Sequence, residues 1–387
     1  MTFPRFNFTP KCPRKSDLTE KGQALIHENV MRIFRTERID DLEQMKEDSK
    51  VFYEELRKEN TMNEKGVILI DFKRFLKVLE STPKSIQDVF TYKLIKNIER
   101  VTNDCMTLDV ALIEHLLHSI IEAESIYINI LSFCENEREI NSLEFQNFIS
   151  ANYVPAMKTA PEKTEYYCAY ISGIVFFLLD CRSKDHIQIQ DLFSSNLLEF
   201  FDHCFKYDNS DNMEQDVSID IFSLDSFNRA LAEFREIDSE GVGLLGLGDL
   251  VNFRMGSYNE TFMKRVFFIS QTYENKLDFK GFVDFLTAIR YKNTSASAKY
   301  HFMAMDLKND GYLDEEEIRA CCYSMPDCIS PDEHIPTNDI MTAELMDMLN
   351  MKEKITMDEF VENRMKSTFG GCLTNYLDWA RYERREQ

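Results

Sequence analysis

One arrangement of apolar and polar positions recurs along the chain: an apolar residue, a short polar residue, then the opening of an amphipathic helix. Ile70-Asp71-Phe72-Lys73-Arg74-Phe75-Leu76 is one copy, and Leu277-Asp278-Phe279-Lys280-Gly281-Phe282-Val283 is nearly the same peptide about two hundred residues on. Weaker copies begin at Leu108, Ile140, Ile187, Leu245, Leu313 and Ile355, so successive copies lie about 32 to 58 residues apart. That interval is the length of a supersecondary unit. Ahead of the first copy, from Asp17 to about Asn60, the pattern is helical and highly charged, with Leu25, Ile26, Val30 and Ile33 at helical spacing.

An EF-hand explains this unit physically. Its loop places one apolar residue at position 8, where a two-residue strand pairs with the neighbouring loop, and a small polar residue at position 9 caps the exiting helix. Asp71, Asp109, Asn141, Asp278, Asp314 and Thr356 suit that cap. Bare helix pairs of an α-solenoid have no need of an apolar residue followed by a cap. The expected fold class is therefore all-α, a two-domain array of degenerate EF-hand (helix-loop-helix) pairs. The expected divisions are a basic, Pro-containing tail over 1–16 and an N-terminal helical domain over 17–205. An acidic linker over 206–222, a C-terminal EF-hand domain over 223–370 and a C-terminal tail over 371–387 follow.

The best-preserved loop runs from Asp306 to Glu317. In a twelve-residue calcium loop Asp306 is position 1, Asp310 position 5 and Gly311 the sharp turn at 6. Tyr312 then offers its carbonyl at 7, Asp314 sits at 9, and Glu317 can chelate through both oxygens at 12. Position 3 is Lys308, which removes an oxygen ligand and adds a positive charge beside the cation. The expectation is at most one calcium site, of modest affinity, on Asp306, Asp310, Tyr312, Asp314 and Glu317. The loop from Asp238 to Asp249 has Val242 at position 5 and Gly246 at position 9. The loop from Asp180 to Asp191 has Arg182 and Lys184 where ligands belong, and the loops around Ile140, Leu277 and Ile355 lack an acidic first position.

Composition narrows the function. Asp and Glu number 67 against 45 Lys and Arg, a net charge of −22, which disfavours nucleic acid and anionic membrane as partners. No stretch approaches a membrane span, and the start of the chain lacks the apolar run of a signal peptide. Ten scattered cysteines read as reduced thiols, so a cytoplasmic setting is expected, with the nucleus as a further location. Gly241-Val242-Gly243-Leu244-Leu245-Gly246 fits a dinucleotide string but follows a predicted helix, not a strand. Glu114, His115 and His118 lack a metal-site spacing, Cys321, Cys322, Cys328 and His334 are too loosely spaced for zinc, and no catalytic constellation is present. The stripe of Phe72, Phe75, Phe279, Phe282 and Phe285 reads as the core face of helices. The chain is expected not to be an enzyme.

Two segments carry a family resemblance. Tyr170-Ile-Ser-Gly-Ile-Val-Phe-Phe-Leu-Leu-Asp180 through Ile187-Gln-Ile-Gln-Asp191-Leu192 looks like a helix and eroded loop ahead of a calcium domain. Leu277 to Leu286 followed by Tyr300-His-Phe-Met-Ala-Met-Asp306 is similar to a pair of EF-hands. Together they resemble the B″ regulatory subunits of protein phosphatase 2A. The short length and the ending Trp379-Ala-Arg-Tyr382-Glu383-Arg-Arg-Glu386 are similar to the smaller, TONNEAU-like branch. The resemblance implies a noncatalytic subunit that joins a phosphatase 2A scaffold and catalytic subunit and directs substrate choice or location. It also implies microtubule organisation, centrosome or cytoskeleton and cell division as the setting, with microtubule-associated or centrosomal proteins as further partners. The alternative is a calcium-sensing or cytoskeletal adaptor without a phosphatase.

Overall fold

All eight apolar positions of the repeat fall on short strands or single bridges, joined in four successive antiparallel pairs. Ile70 faces Leu108, Ile140 faces Ile187, Leu245 faces Leu277 and Leu313 faces Ile355. The computed structural model describes residues 20–58, 61–62, 68–102, 107–156, 163–179, 185–195, 197, 220–270, 275–325, 338–351 and 353–385. The tail over 1–16, residues 206–219 of the expected linker, and the side chains of Leu25, Ile26, Val30 and Ile33 lie outside them. So do Arg182, Lys184, Cys328 and His334. The chain is mostly helical, and its strands are no longer than four residues among the described residues.

Two compact units divide between Phe133 and Cys134. In the first, α1 (Glu20–Lys58) is followed by α2 (Phe72–Ser81), α3 (Lys84–Gln87), α4 (Tyr92–Thr102) and α5 (Val110–Leu131). Phe52 of α1, Phe75 of α2 and Phe90 form its aromatic centre, with ring centroids 5.5 to 6.5 Å apart. Ile70 and Leu108 lie buried beside Ile113 and Leu117. Burying each such side chain contributes about 1.5–3 kcal/mol. The cap that follows is equally local. The Asp71 carboxylate accepts the N–H groups of Lys73 and Arg74, and that of Asp109 accepts the N–H of Ala111. Each satisfies orphan donors at a helix start, a contribution of about 1 kcal/mol.

The second unit holds the other three pairs. Its helices are α6 (Ser142–Asn152), α7 (Thr164–Leu179), α8 (Ile189–Ser194), α9 (Leu224–Ile237), α10 (Leu247–Val251) and α11 (Glu260–Ile269). They continue as α12 (Phe279–Arg290), α13 (Ser295–Met305), α14 (Glu315–Tyr323), α15 (Asn338–Met348), α16 (Met357–Glu362), α17 (Lys366–Thr374) and α18 (Tyr376–Glu383). Phe279, Phe282 and Phe285 of α12 are buried and meet Phe234, Phe253, Tyr258 and Phe262 edge-on or tilted. The aromatic stripe is core, as its spacing indicates. Gly281 makes room for the Leu277 side chain, which would have to shift if a Cβ stood there, 2.4 Å from Leu277 Cδ1.

Two expectations about boundaries need correction. The division at 133/134 differs from the one expected over 206–222, because α7 packs into the C-terminal elements. Tyr167 and Tyr170 donate their hydroxyls to the carbonyls of Phe222 and Ile221, at 2.9 and 3.0 Å, and Phe177 meets Tyr300 with centroids 5.6 Å apart. Residues 371–385 are no tail. Cys372, Leu373 and Trp379 are buried in the core around Phe302 and Phe360, and Asn375 forms a bridge with Tyr258. Gly370 and Gly371, residue types that commonly end helices, lie inside α17. Gly370 admits the His301 ring and Gly371 sits beside the half-buried pair of Lys292 and Asp378.

Candidate metal centre

The loop from Asp306 to Glu317 connects α13 to α14 and carries the strand Tyr312–Asp314. Asp306 closes α13 and is buried. Its carboxylate accepts the N–H groups of Asp310 and Gly311 at 3.1 and 2.9 Å. Gly311 takes φ +84°, the left-handed turn that position 6 demands. Asp310 accepts from the N–H of Tyr312, and Asp314 caps α14 by accepting the N–H of Glu317 at 3.1 Å. Glu317, also buried, spreads its two oxygens over the N–H groups of Lys308 and Asp314, at 2.9 and 3.1 Å. The five residues singled out in the sequence thus share one loop, but the carboxylates of Asp306, Asp310, Asp314 and Glu317 each accept backbone N–H groups.

Lys308 decides whether calcium fits. Its ammonium contacts the Asp314 carboxylate directly and Glu316 at 2.9 Å. In a metal-holding loop positions 3 and 9 both turn toward the ion, whereas here position 3 is a cation bound to position 9. Among the described residues no three His, Cys, Asp or Glu side chains gather closely enough to hold a metal. The donor set as arranged does not fit a resident calcium ion.

The protonation of these groups follows from the same contacts. Hydrogen bonds to Asp314 and then Glu316 raise the Lys308 ammonium pKa well above the ordinary lysine value. For Asp314, burial pushes the carboxyl upward, but the Lys308 ammonium and the Glu317 N–H outweigh it and the net shift is downward. Burial dominates at Glu317 and raises it despite two backbone donors. Behind the loop, Arg265 of α11 donates to the carbonyls of Met303 and Asp306 at 3.0 and 2.6 Å, placing a cation at the C-terminal end of α13. Sequence spacing gives no sign of Arg265, which arrives from another helix.

The other loops use their acids in the same way. Asp238 accepts from Val242 and Gly243, matching Asp306, and Asp249 accepts from the N–H of Gly246. Glu144 receives the N–H groups of Glu135 and Asn141, both at 2.8 Å, the same two loop positions that Glu317 serves. Glu359 receives the N–H and hydroxyl of Thr356. Lys276, next to the bridge residue Leu277, reaches Glu240 of the facing loop. The Leu245–Leu277 register could have located Lys276 from sequence, because antiparallel pairing places 276 near the end of the other loop. The remaining polar candidates lead elsewhere. Glu114 is forked by Arg57 at 2.9 and 3.0 Å, His118 pairs with Glu122 on the surface, and Cys321 and Cys322 are buried thiols whose pKa values burial raises. Gly241 and Gly243 belong to the loop after α9, with φ +67° and +76°, in a context unsuited to a dinucleotide.

Comparison with known proteins settles the family. Models of the RSA-1 N-terminal, middle and C-terminal domains match residues 21–124, 135–223 and 238–387. The gap between the first two falls at the division between the compact units. The chain is 39% identical over 399 residues to the serine/threonine-protein phosphatase 2A regulatory subunit rsa-1 of Caenorhabditis elegans, covering 99% of this chain and 98% of that protein. A B″ subunit gamma of Danio rerio is 26% identical over 57% of this chain and 49% of its own length. The probable B″ subunit TON2 of Arabidopsis thaliana is 22% identical over 64% and 54%. In fold, a chain of a solved PP2A PR70 holoenzyme matches with a TM-score of 0.50 at 22% identity, over 62% of this chain and 92% of that one. The chain belongs to the RSA-1 family, within the smaller, TONNEAU-like branch of the B″ regulatory subunits of protein phosphatase 2A.

Proposed function

We propose that this chain is a noncatalytic subunit that binds the scaffold and catalytic subunits of protein phosphatase 2A and directs the enzyme's substrate choice or location. The observation that carries the reading is the likeness to the nematode regulatory subunit along nearly the whole of both chains. The four bridged helix pairs are read as degenerate EF-hand pairs, each keeping the apolar position 8 and most keeping the side-chain cap at position 9. Each compact unit offers its own helix pairs for docking, and the acidic chain suits basic or helical-repeat partners. Microtubule-organising or centrosomal structures are the proposed destination, in the cytoplasm.

Affinity purification of the full chain from cells tests the reading. Both phosphatase subunits should be recovered in comparable amounts, and the purified chain alone should release no phosphate from a phosphopeptide. Recovery of centrosomal or microtubule proteins with neither phosphatase subunit would overturn it in favour of an adaptor.

A further inference from the structure

The loop from Asp306 to Glu317 contains six carboxylates and a single lysine, yet it is closed and internally bonded. Like charges at that density repel unless a cation lies among them. The cation is part of the chain: Lys308, at position 3, binds the position 9 carboxylate of Asp314 and that of Glu316. Arg265 supports the start of the loop from behind, and the Lys354 ammonium lies 3.6 Å from the centroid of the Tyr312 ring. The loop from Asp238 to Asp249 repeats the solution by another route. There Lys276 comes from the facing loop, binds Glu240 at position 3 and feels the charges of Asp238 and Asp249 at positions 1 and 12. Two acidic loops thus meet two lysines from different places in the loop frame, with the same electrostatic result.

We propose that Lys308 and Lys276 are built-in counter-ions that hold both acidic loops closed without a divalent metal, so that calcium must displace an ammonium to bind. A tethered cation needs no free ligand, so loop closure is independent of calcium concentration. An ammonium also offers three donors to carboxylates already oriented by backbone N–H groups. Hydrogen bonding to Glu240 keeps Lys276 protonated above its ordinary range, as Asp314 and Glu316 do for Lys308. This inference rests on the paired-loop reading and not on the phosphatase partner, so a failed phosphatase interaction would leave it standing.

Thermal unfolding of the purified full chain, with EGTA or with 1 mM calcium chloride added, tests the proposal. The wild-type midpoint should differ by less than about 1 °C between the two conditions. Lys308→Asp should gain a calcium-dependent rise of about 3 °C or more, and calorimetry should show calcium binding at least about tenfold tighter than wild type. If Lys308→Asp does not fold, Lys308→Gln, neutral and compatible with the exposed site, should show the same gain to a smaller degree. Lys308→Met with Lys276→Met should lower the midpoint in EGTA by about 2 °C, and Lys308→Arg with Lys276→Arg should restore it. A wild-type calcium response as large as that of Lys308→Asp would overturn the proposal. So would a methionine pair that unfolds and responds to calcium as the wild type does.

Discussion

The first and last helix pairs solve one problem with different chemistry. In the first, Ile70 faces Leu108 across a three-stranded ribbon extended by Thr61–Met62, with Asp71 and Asp109 capping the helices that follow. Neither helix start there carries an acidic residue in its first turn. In the last, Leu313 faces Ile355, and the helix after Leu313 begins Glu315, Glu316, Glu317. Both pairs nevertheless bury the facing apolar residues and cap the next helix from the following side chain. The difference teaches that pairing comes from the buried position 8 and the cap at position 9. Acidity is an addition, and it is accompanied by Lys308, Arg265 and Lys354.

The sharpest way to break this comparison is to remove the shared element. Leu313→Ala and Ile70→Ala each leave a cavity at a fully buried position. Each should lower the stability of its own unit by about 3 kcal/mol, within the range for buried leucine and isoleucine. Hydrogen exchange on the two units separates them, and a loss confined to Leu313 would show that the pairs are not equivalent.

A pH effect of similar size should distinguish the second unit. His301 is buried, stacked on Phe262 with centroids 5.6 Å apart, and its Nδ1 is 2.7 Å from the Ser297 carbonyl oxygen. Burial pushes its pKa down to about 4, outweighing the Ser297 contact. Its folded pKa lies below the unfolded value of 6.5, so the unfolded chain takes up the proton first as pH falls. Stability from the neutral ring is therefore full above about pH 6.5 and declines toward pH 4, by about 3 kcal/mol in all. An NMR titration of ring signals checks this, since the His301 ring should stay neutral at pH 5.

Smaller effects sharpen the cap half of the comparison. Asp71→Ala and Thr356→Ala each delete a side chain that receives helix N–H groups. Each should cost about 1 kcal/mol, read as faster exchange of amides in the first turn of α2 and α16. Equal losses at the two caps would support a common unit, while no loss at Thr356 would assign its helix start to the Glu359 carboxylate alone.

Legibility in the sequence followed how local each feature is. The apolar-then-cap unit occupies two adjacent residues and a helix start, so all eight positions could be read and paired by order. The division between units could not, because it depends on Tyr167, Tyr170 and Phe177 finding partners far along the chain. The fold of residues 371–385 was hidden for the same reason. Trp379 and the Lys292–Asp378 pair have meaning only once α13, α17 and α18 meet. At the loop, Lys308 was visible as a misplaced cation, but spacing could not show that it grips Asp314, nor that Arg265 stands behind it.

Reconstitution of the full chain with purified phosphatase 2A scaffold and catalytic subunits, followed by sedimentation in EGTA and in calcium, tests the account most directly. A ternary complex of equal stability in both conditions is the predicted result. A complex that forms only with calcium would contradict the metal-free loops, and the absence of a complex in either condition would contradict the regulatory-subunit function itself.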